Sequence, residues 1–495
     1  VTDPADAHEG QGPAAPLRLV DVQAAVTAEL DRIAPVIDDL GRLFEAAGHE
    51  LALVGGPVRD AMLGRRSNDL DFATSARPEQ TEKLLRAWGD AWWDMGRDFG
   101  TIGCRKGDWV VEVTTYRSEE YDADSRKPEV QYGDTLAGDL GRRDFSVNAM
   151  AVRVPGRVIE DPFGGVLDLA HQVLRTPGTP EQSFSDDPLR MMRAARFASQ
   201  LGFTVDPDVV RAMTEMAERI EIVSAERVRD ELVKLICADH PRQGLSLLVE
   251  TGLAEHVLPE LPALKLERDE HHSHKDVYDH TLTVLEQAID LEPRLAERAG
   301  IAAPDFVSRF AALMHDVGKP RTRRFQDDGV VTFHHHDVVG AKLTRKRMKA
   351  LRFSNDQIEA VGDLVELHLR FHGYGSGEWT DSAVRRYVRD AGDQLERLHV
   401  LTRADCTTRN KRKADRLSRT YDDLEARIDR LNEEEELASL RPDLDGNQIM
   451  EILGIGPGRD VGEAYKFLME QRLDNGPMAE ADAIAALQQW WAARH

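Results

Sequence analysis

Asp69 and Asp71 stand two residues apart in the segment SNDLDFAT. In an extended strand, residues i and i+2 project from one face, so both carboxylates can converge on one point. Carboxylates held that close repel each other unless a cation lies between them. Hard oxygen donors at this spacing suit Mg²⁺, which keeps part of its water and takes phosphate oxygens as further ligands. Upstream, Gly55-Gly56 offers a turn without Cβ atoms, where backbone N–H groups can approach a triphosphate. Arg59, on the helix expected next, adds positive charge. Glu112, between Val111 and Val113 on an expected strand, supplies a third carboxylate for the same point.

The elements that must carry these groups follow from patterning. Apolar residues at spacings of three and four predict a helix from Leu17 to about Ala47. Next come a strand over Leu51–Val54, the glycine turn, a short helix over Val58–Leu63 and a strand over Leu70–Ala73. Thr101–Arg117 reads as two strands around the turn Lys106-Gly107-Asp108. Strand signals fade after Asp161–Leu169, and from Pro188 nearly everything is helical. The expected fold class is α+β, an α/β head followed by a mostly α-helical body.

Composition bounds the rest. A chain of 495 residues predicts three or four compact units. With 41% hydrophobic and 31% charged residues, overall disorder is excluded. No apolar run approaches the roughly 18–20 residues that span a bilayer. The first residues, VTDPADAHEGQGPAAP, lack the pattern of an export signal and read as a mobile tail. Cys104, Cys237 and Cys406 are scattered with no CxxC pair, which suits a reducing cytosol and excludes a disulfide framework or cysteine zinc site. A cytoplasmic protein with no membrane partner is expected.

The net charge of −24 opposes polyanion binding by the surface at large. An RNA site must therefore be a local basic patch or lean on metal ions. The segment TTRNKRKADRLSR carries Arg409, Lys411, Arg412, Lys413, Arg416 and Arg419 against a single acid, Asp415. It is the candidate for RNA phosphate contact; a solvated helix face is the alternative. Ten of the seventeen histidines fall between His271 and His372, which marks a unit with its own chemistry.

The segment GGPVRDAMLGRRSNDLDFAT resembles the signature of the class II tRNA nucleotidyltransferase and poly(A) polymerase family. RRDFSVNAMA, DPFGGVLDL, DDPLRMMRAARFA and SAERVRDEL resemble four further motifs of that family, in its order. The resemblance implies two-metal nucleotidyl transfer, with Asp69 and Asp71 as Mg²⁺ ligands and Glu112 as the third acidic position. It implies nucleotide binding by Gly55, Gly56, Arg59, Arg143, Asp144, Asn148, Asp187, Arg190, Arg193 and Arg196. Asn148 reads as a ribose contact or as a helix cap.

Asp187 and Arg190, three apart on an expected helix, pair an acceptor-only group with a donor-only fork. Cytosine and adenine show an amine beside ring acceptors, whereas guanine and uracil show a carbonyl there. The pair should accept C and A and reject G and U, the selectivity of CCA synthesis. Asp187 also reads as an N-cap before Pro188. The family usually has Glu-Asp where this chain has Asp186-Asp187.

In the histidine-dense stretch, His315-Asp316 resembles the HD phosphohydrolase signature. His280 and Asp405 match that superfamily's outer ligands, and His336 and His368 its additional metal positions. Imidazole and carboxylate suit Mn²⁺, Fe, Ni²⁺ or Co²⁺ better than Ca²⁺. His271, His272, His274, His334 and His335 read as solvated loop residues. The organisation implied is a tail over 1–16, a nucleotidyltransferase head over 17–175 and a helical nucleotide-recognition neck over 176–260. An HD domain over 261–415 and a helical, RNA-binding tail over 416–495 complete it.

The resemblance implies CTP, ATP and tRNA, at its 3′ end and elbow, as partners. CCA addition is the expected activity, and GRDFGTIGC looks more like that branch than like the polymerase. Poly(A) polymerase or partial C- or A-addition is the alternative within the family. An HD-type phosphohydrolase with an RNA-binding head is the alternative outside it.

Overall fold

The computed structural model describes residues 16–120, 129–133, 135–266, 277–326, 331–373, 379–407, 410–435 and 441–494. Apart from Pro16, the expected mobile tail lies outside the described residues. So do His271, His272, His274 and Arg409. Two compact units divide at Pro259/Glu260, fewer than the three or four that length alone predicts.

In the first unit, α1 (Leu19–Ala46) leads to β1 (Leu51–Val54), α2 (Gly56–Met62), β2 (Asp69–Thr74) and α3 (Pro78–Trp88). Then come β3 (Ala91–Trp93), β4 (Thr101–Lys106), β5 (Trp109–Thr115) and a hairpin of β6 (Arg117–Glu120) and β7 (Glu129–Tyr132). A short α4 (Leu136–Gly141), β8 (Ala151–Val154), β9 (Val158–Glu160) and α5 (Gly165–His171) close the head. The strands form one sheet in the order β3-β4-β5-β2-β1-β8-β9. Only β2 and β5 pair in parallel within it; the other pairs are antiparallel.

Alternation fixes the faces. Leu70 and Phe72 of β2, with Val111 and Val113 of β5, are buried, which turns Asp69, Asp71 and Glu112 to the other side. On α1, Val22, Val26, Ile33, Ile37, Leu40 and Phe44 are buried at helical spacing.

The neck helices α6 (Pro180–Asp186), α7 (Leu189–Leu201), α8 (Pro207–Met216), α9 (Ala225–Ile236), α10 (Pro241–Glu250) and α11 (Leu253–Val257) do not form a separate unit. Helix α7 is buried along most of its length, and Phe197 packs edge-on against Phe145 of the head at 5.8 Å. This shared core is why head and neck are one body.

The second unit is helical: α12 (Val277–Ala299), α13 (Phe306–Met314), α14 (Lys319–Thr322), α15 (His336–Ala350) and α16 (Asn355–Leu367) lead to α17 (Asp381–Ala391) and α18 (Leu395–Ala404). After them come α19 (Lys411–Glu435), α20 (Gly446–Leu453), α21 (Arg459–Asn475) and α22 (Glu480–Ala492). The boundary drawn at 415/416 falls inside α19. The tail has a small core of its own, including Leu444, Ile449, Leu468 and Leu487. It is tied to α17 by Arg385, which donates to the Leu473 carbonyl at 3.1 Å, and by Arg386 on Glu470 and Asp474.

Gly318 lets α14 and α15 meet. A Cβ there would lie 2.0 Å from the His336 carbonyl oxygen and 2.7 Å from the Gly340 nitrogen, both backbone. Gly318→Ala is therefore expected to cost about 1–3 kcal/mol as an overpacking change. Urea unfolding checks this; an unchanged midpoint would contradict the close approach.

Candidate functional site

Parallel pairing places Asp71 directly opposite Glu112, and Asp69 lies two residues before Asp71 on the same face. All three carboxylates reach solvent. The protein packed around Asp71 still removes much of its hydration. That desolvation, the Glu112 charge and the smaller effect of Asp69 outweigh the Arg143 guanidinium and raise Asp71 to about 6. A group of like charges that resists its own ionisation fits a divalent cation.

The glycine turn runs past this group. Gly55 has φ +72°, a region that glycine enters without strain, and a Cβ there would sit 2.7 Å from Arg143 Nη1. Arg143 donates to Asp139 Oδ2 at 3.1 Å, and the same carboxylate takes Arg142 at 2.9 Å. Asp139 is buried, and these guanidiniums overcome the cost of its burial and hold it below the usual carboxylate range. Sequence reading missed it, although its spacing of three and four from Arg142 and Arg143, just past the end of α4, was a usable signal.

Behind the turn runs a buried polar chain. Arg59 Nη1 donates to Asn148 Oδ1 at 2.7 Å, and Asn148 Nδ2 donates to Asp144 Oδ1 at 3.0 Å. Arg193 Nε donates to the other Asp144 oxygen at 2.7 Å. Asn148 is thus a bridge and not a helix cap. Burial disfavours the Asp144 charge, but Arg193, Asn148 and the Phe145 amide hold the carboxyl low. Arg196 is occupied by Glu231 at 2.5 Å and lies over the Phe197 ring at 3.9 Å.

The expected pairing of Asp187 and Arg190 on one helix is corrected. Pro188 starts a new helix, so Asp187 is an extended residue between α6 and α7. Its Oδ1 accepts from the Leu189 amide at 3.1 Å, and its Oδ2 takes Arg227 at 2.9 Å. Arg190 is buried and donates to Ser183 Oγ at 3.0 Å and to the Arg142 carbonyl.

In the second unit, six side chains converge. His280 Nε2 lies 3.1 Å and His315 Nε2 3.5 Å from Asp405 Oδ1. His336 Nε2 lies 3.3 Å from Asp316 Oδ1 and 3.3 Å from His368 Nε2. Two groups result, His280–His315–Asp405 and Asp316–His336–His368, each with ligand atoms within 4.8 Å of one another. The far ring nitrogens are anchored: His315 Nδ1 to the Ala312 carbonyl, His336 Nδ1 to Phe333 and His368 Nδ1 to Val365, at 2.8, 2.9 and 2.6 Å. Such anchoring aims Nε2 inward.

His315 Nε2 is buried without a well-directed hydrogen bond, which fits a metal ligand. Burial and the neighbouring imidazoles His315 and His336 lower His368 to about 3, so its ring stays neutral. Lys319 Nζ, absent from the sequence reading although it lies three residues past Asp316, reaches Asp316 Oδ2 at 2.9 Å. His334 and His335 are exposed, as are Lys411, Arg412, Lys413, Arg416 and Arg419 on α19. Among the described residues, no helix is long and apolar enough to cross a membrane.

Three families match the chain: "Poly A polymerase head domain" over residues 51–175, "Probable RNA and SrmB- binding site of polymerase A" over 202–264, and "HD domain" over 277–410. The A-adding tRNA nucleotidyltransferase of Deinococcus radiodurans is 33% identical over 89% of this chain and 95% of its own length. The chain belongs to the tRNA nucleotidyltransferase and poly(A) polymerase family. It is a nucleotidyltransferase with an HD domain. The CCA-adding enzyme of Levilactobacillus brevis is 42% identical over 46% of this chain, and the match spans 55% of that enzyme. The CCA-adding enzyme of Bacillus stearothermophilus, solved in complex with CTP, shares the fold with a TM-score of 0.63. It is 25% identical over 92% of this chain and 98% of that one.

The raised Asp71 value has a consequence for stability without metal. A carboxyl with a higher folded than unfolded pKa destabilises the fold above both values and costs nothing below both. In EDTA, Asp71→Asn should raise the thermal midpoint at pH 8 and leave it unchanged below pH 4. With solvent screening the gain is under about 1 kcal/mol, or about 2 °C. Equal effects at both pH values would contradict the raised Asp71 pKa that desolvation and Glu112 produce.

Proposed function

We propose that this chain adds CCA to tRNA 3′ ends from CTP and ATP, without a nucleic-acid template. The observation that carries this reading is the in-register carboxylate group beside the Gly55–Arg143 turn, on a chain of this family. Asp69, Asp71 and Glu112 would hold Mg²⁺. The bound ions would lower the pKa of an RNA 3′-hydroxyl and stabilise the leaving pyrophosphate. The turn amides at Gly55 and Gly56, with Arg143, line the triphosphate. The chain Arg59–Asn148–Asp144–Arg193 holds the sugar side rigid.

Asp187 and Arg190 remain the base-reading pair in this proposal, from either side of the α6–α7 junction. To meet a base, Arg190 gives up Ser183 and the Arg142 carbonyl, and Asp187 gives up Arg227. Their partners in the free protein keep both groups satisfied until a nucleotide replaces them. The exposed cations of α19 would track RNA phosphates, and the segment after Asp443 would reach the tRNA elbow. Three free, scattered cysteines support a cytosolic location.

A second reading, addition of adenosine alone, has one specific support: the relative matched over 95% of its length is an A-adding enzyme. The deciding experiment supplies tRNA lacking its CCA end, Mg²⁺ and each labelled triphosphate separately. CTP followed by ATP incorporation is expected. ATP addition only to tRNA already ending in CC would favour the second reading, and long ATP tails would indicate poly(A) synthesis.

Asp69→Ala or Asp71→Ala is expected to reduce transfer by at least about a thousandfold, as loss of a charge-stabilising group does, while the circular dichroism spectrum is retained. Normal turnover by Asp71→Ala would refute the metal assignment. Arg190→Ala should raise misincorporation of GTP and UTP about tenfold or more, with tRNA affinity within twofold; unchanged base choice would remove Arg190 from recognition.

The six-residue HD cluster would hold Mn²⁺, Ni²⁺ or Co²⁺ and hydrolyse phosphoesters. Release of AMP from 2′,3′-cyclic AMP through either ring opening, with any of these ions, is the expected sign. No turnover with all three would assign the cluster a structural role.

A further inference from the structure

A row of residues crosses four strands beside the carboxylates. Asp71 on β2 faces Glu112 on β5, Glu112 faces Gly103 on β4, and Gly103 faces Trp93 on β3. Residues in register share a face of the sheet, so Trp93 lies on the carboxylate side. Its indole occupies the space that a side chain at 103 would take. A Cβ on Gly103 would sit 2.1 Å from Trp93 Nε1 and 2.2 Å from Cε2. The ring therefore leans over β4 toward Glu112, whose strand is about 5 Å further on. Trp93 remains part-exposed there. Trp92 points to the opposite face, where the Arg86 guanidinium stacks 3.7 Å from its ring centre.

The two flanks of the carboxylate row differ in chemistry. On the β1 side lie Gly55 and Arg143, suited to phosphates. On the β4–β3 side lies an aromatic surface. In phosphoryl transfer the attacking and leaving oxygens stand roughly in line across the phosphorus. With pyrophosphate departing on the Gly55 side, the attacking hydroxyl arrives from the side of Trp93.

The geometry points to Trp93 as a stacking platform for the 3′-terminal base of the acceptor RNA, an inference that rests on the nucleotidyl-transfer reading above. An acceptor site that must take a different terminal base as the end grows cannot rely on hydrogen-bond readout. An aromatic face accepts every base, because every base has a π-face. Gly103 belongs to the same device: any side chain there would lift the indole away from the row.

The test compares two acceptors, a trimmed tRNA with its normal terminal nucleotide and one whose terminal nucleotide is abasic but keeps its 3′-hydroxyl. Labelled CTP transfer by the unaltered protein should favour the normal acceptor about tenfold in kcat/KM, in line with the worth of one base–aromatic stack. Trp93→Leu, which fills the space over Gly103 without a π-face, should bring that ratio close to one, with KM for CTP within twofold. Trp93→Phe should restore most of the preference. An unchanged ratio in Trp93→Leu, or an equal loss on both acceptors, would overturn the inference and leave Trp93 a packing residue of the edge strand. No transfer by the unaltered protein to the normal acceptor would overturn the underlying reading and this inference together.

Discussion

The parallel register of β2 and β5 is the constraint on which the head depends. It sets Asp71 against Glu112 with Asp69 beside them, three like charges on one sheet face. Nothing in the strands themselves favours this arrangement electrostatically. It is held because Leu70, Phe72, Val111 and Val113 must point the other way, into the core. A slip of one residue in either strand would bury a carboxylate and expose a valine or leucine. Hydrophobic burial thus enforces a charge crowding that Arg143 offsets only in part and that a bound cation would relieve.

The surrounding groups serve that point. Asp139 orients Arg143 over Gly55, and the Arg59–Asn148–Asp144–Arg193 chain joins α2 to α7 through the buried turn of Ser146–Asn148. The second unit solves a related problem by different means. There all the candidate ligand side chains but the half-buried Asp405 are buried, and backbone carbonyls of Ala312, Phe333 and Val365 hold the rings of His315, His336 and His368. The head carboxylates are exposed, whereas the HD-type side chains are enclosed by the helices that carry them.

Much of this was legible in the chain. Period-two alternation in DLDFAT and VVEVT located the strands and the face that carries acids. The six HD-type positions, from His280 to Asp405, lie together in the structure in two groups of three. What pattern alone did not supply was three-dimensional pairing. Pro188 opens α7, so Asp187 stands before the helix, capping the Leu189 amide, and not on one helix with Arg190 as expected. Arg190 and Arg196 read as nucleotide-binding residues, and no local pattern shows that the Arg142 carbonyl and Glu231, 48 and 35 residues away, engage them in the folded chain. Head and neck fall in one unit because α7 shares a core with the head through Phe145 and Phe197. The Trp93–Gly103 contact depends on an edge-strand register that no local signal encodes.

The most direct test of the central claim is anomalous diffraction from crystals of the protein grown with Mn²⁺ and a non-hydrolysable CTP analogue. Manganese peaks bounded by Asp69, Asp71 and Glu112, with the triphosphate reaching toward Gly55 and Arg143, are predicted. A bound nucleotide with no metal peak among these carboxylates would contradict the account.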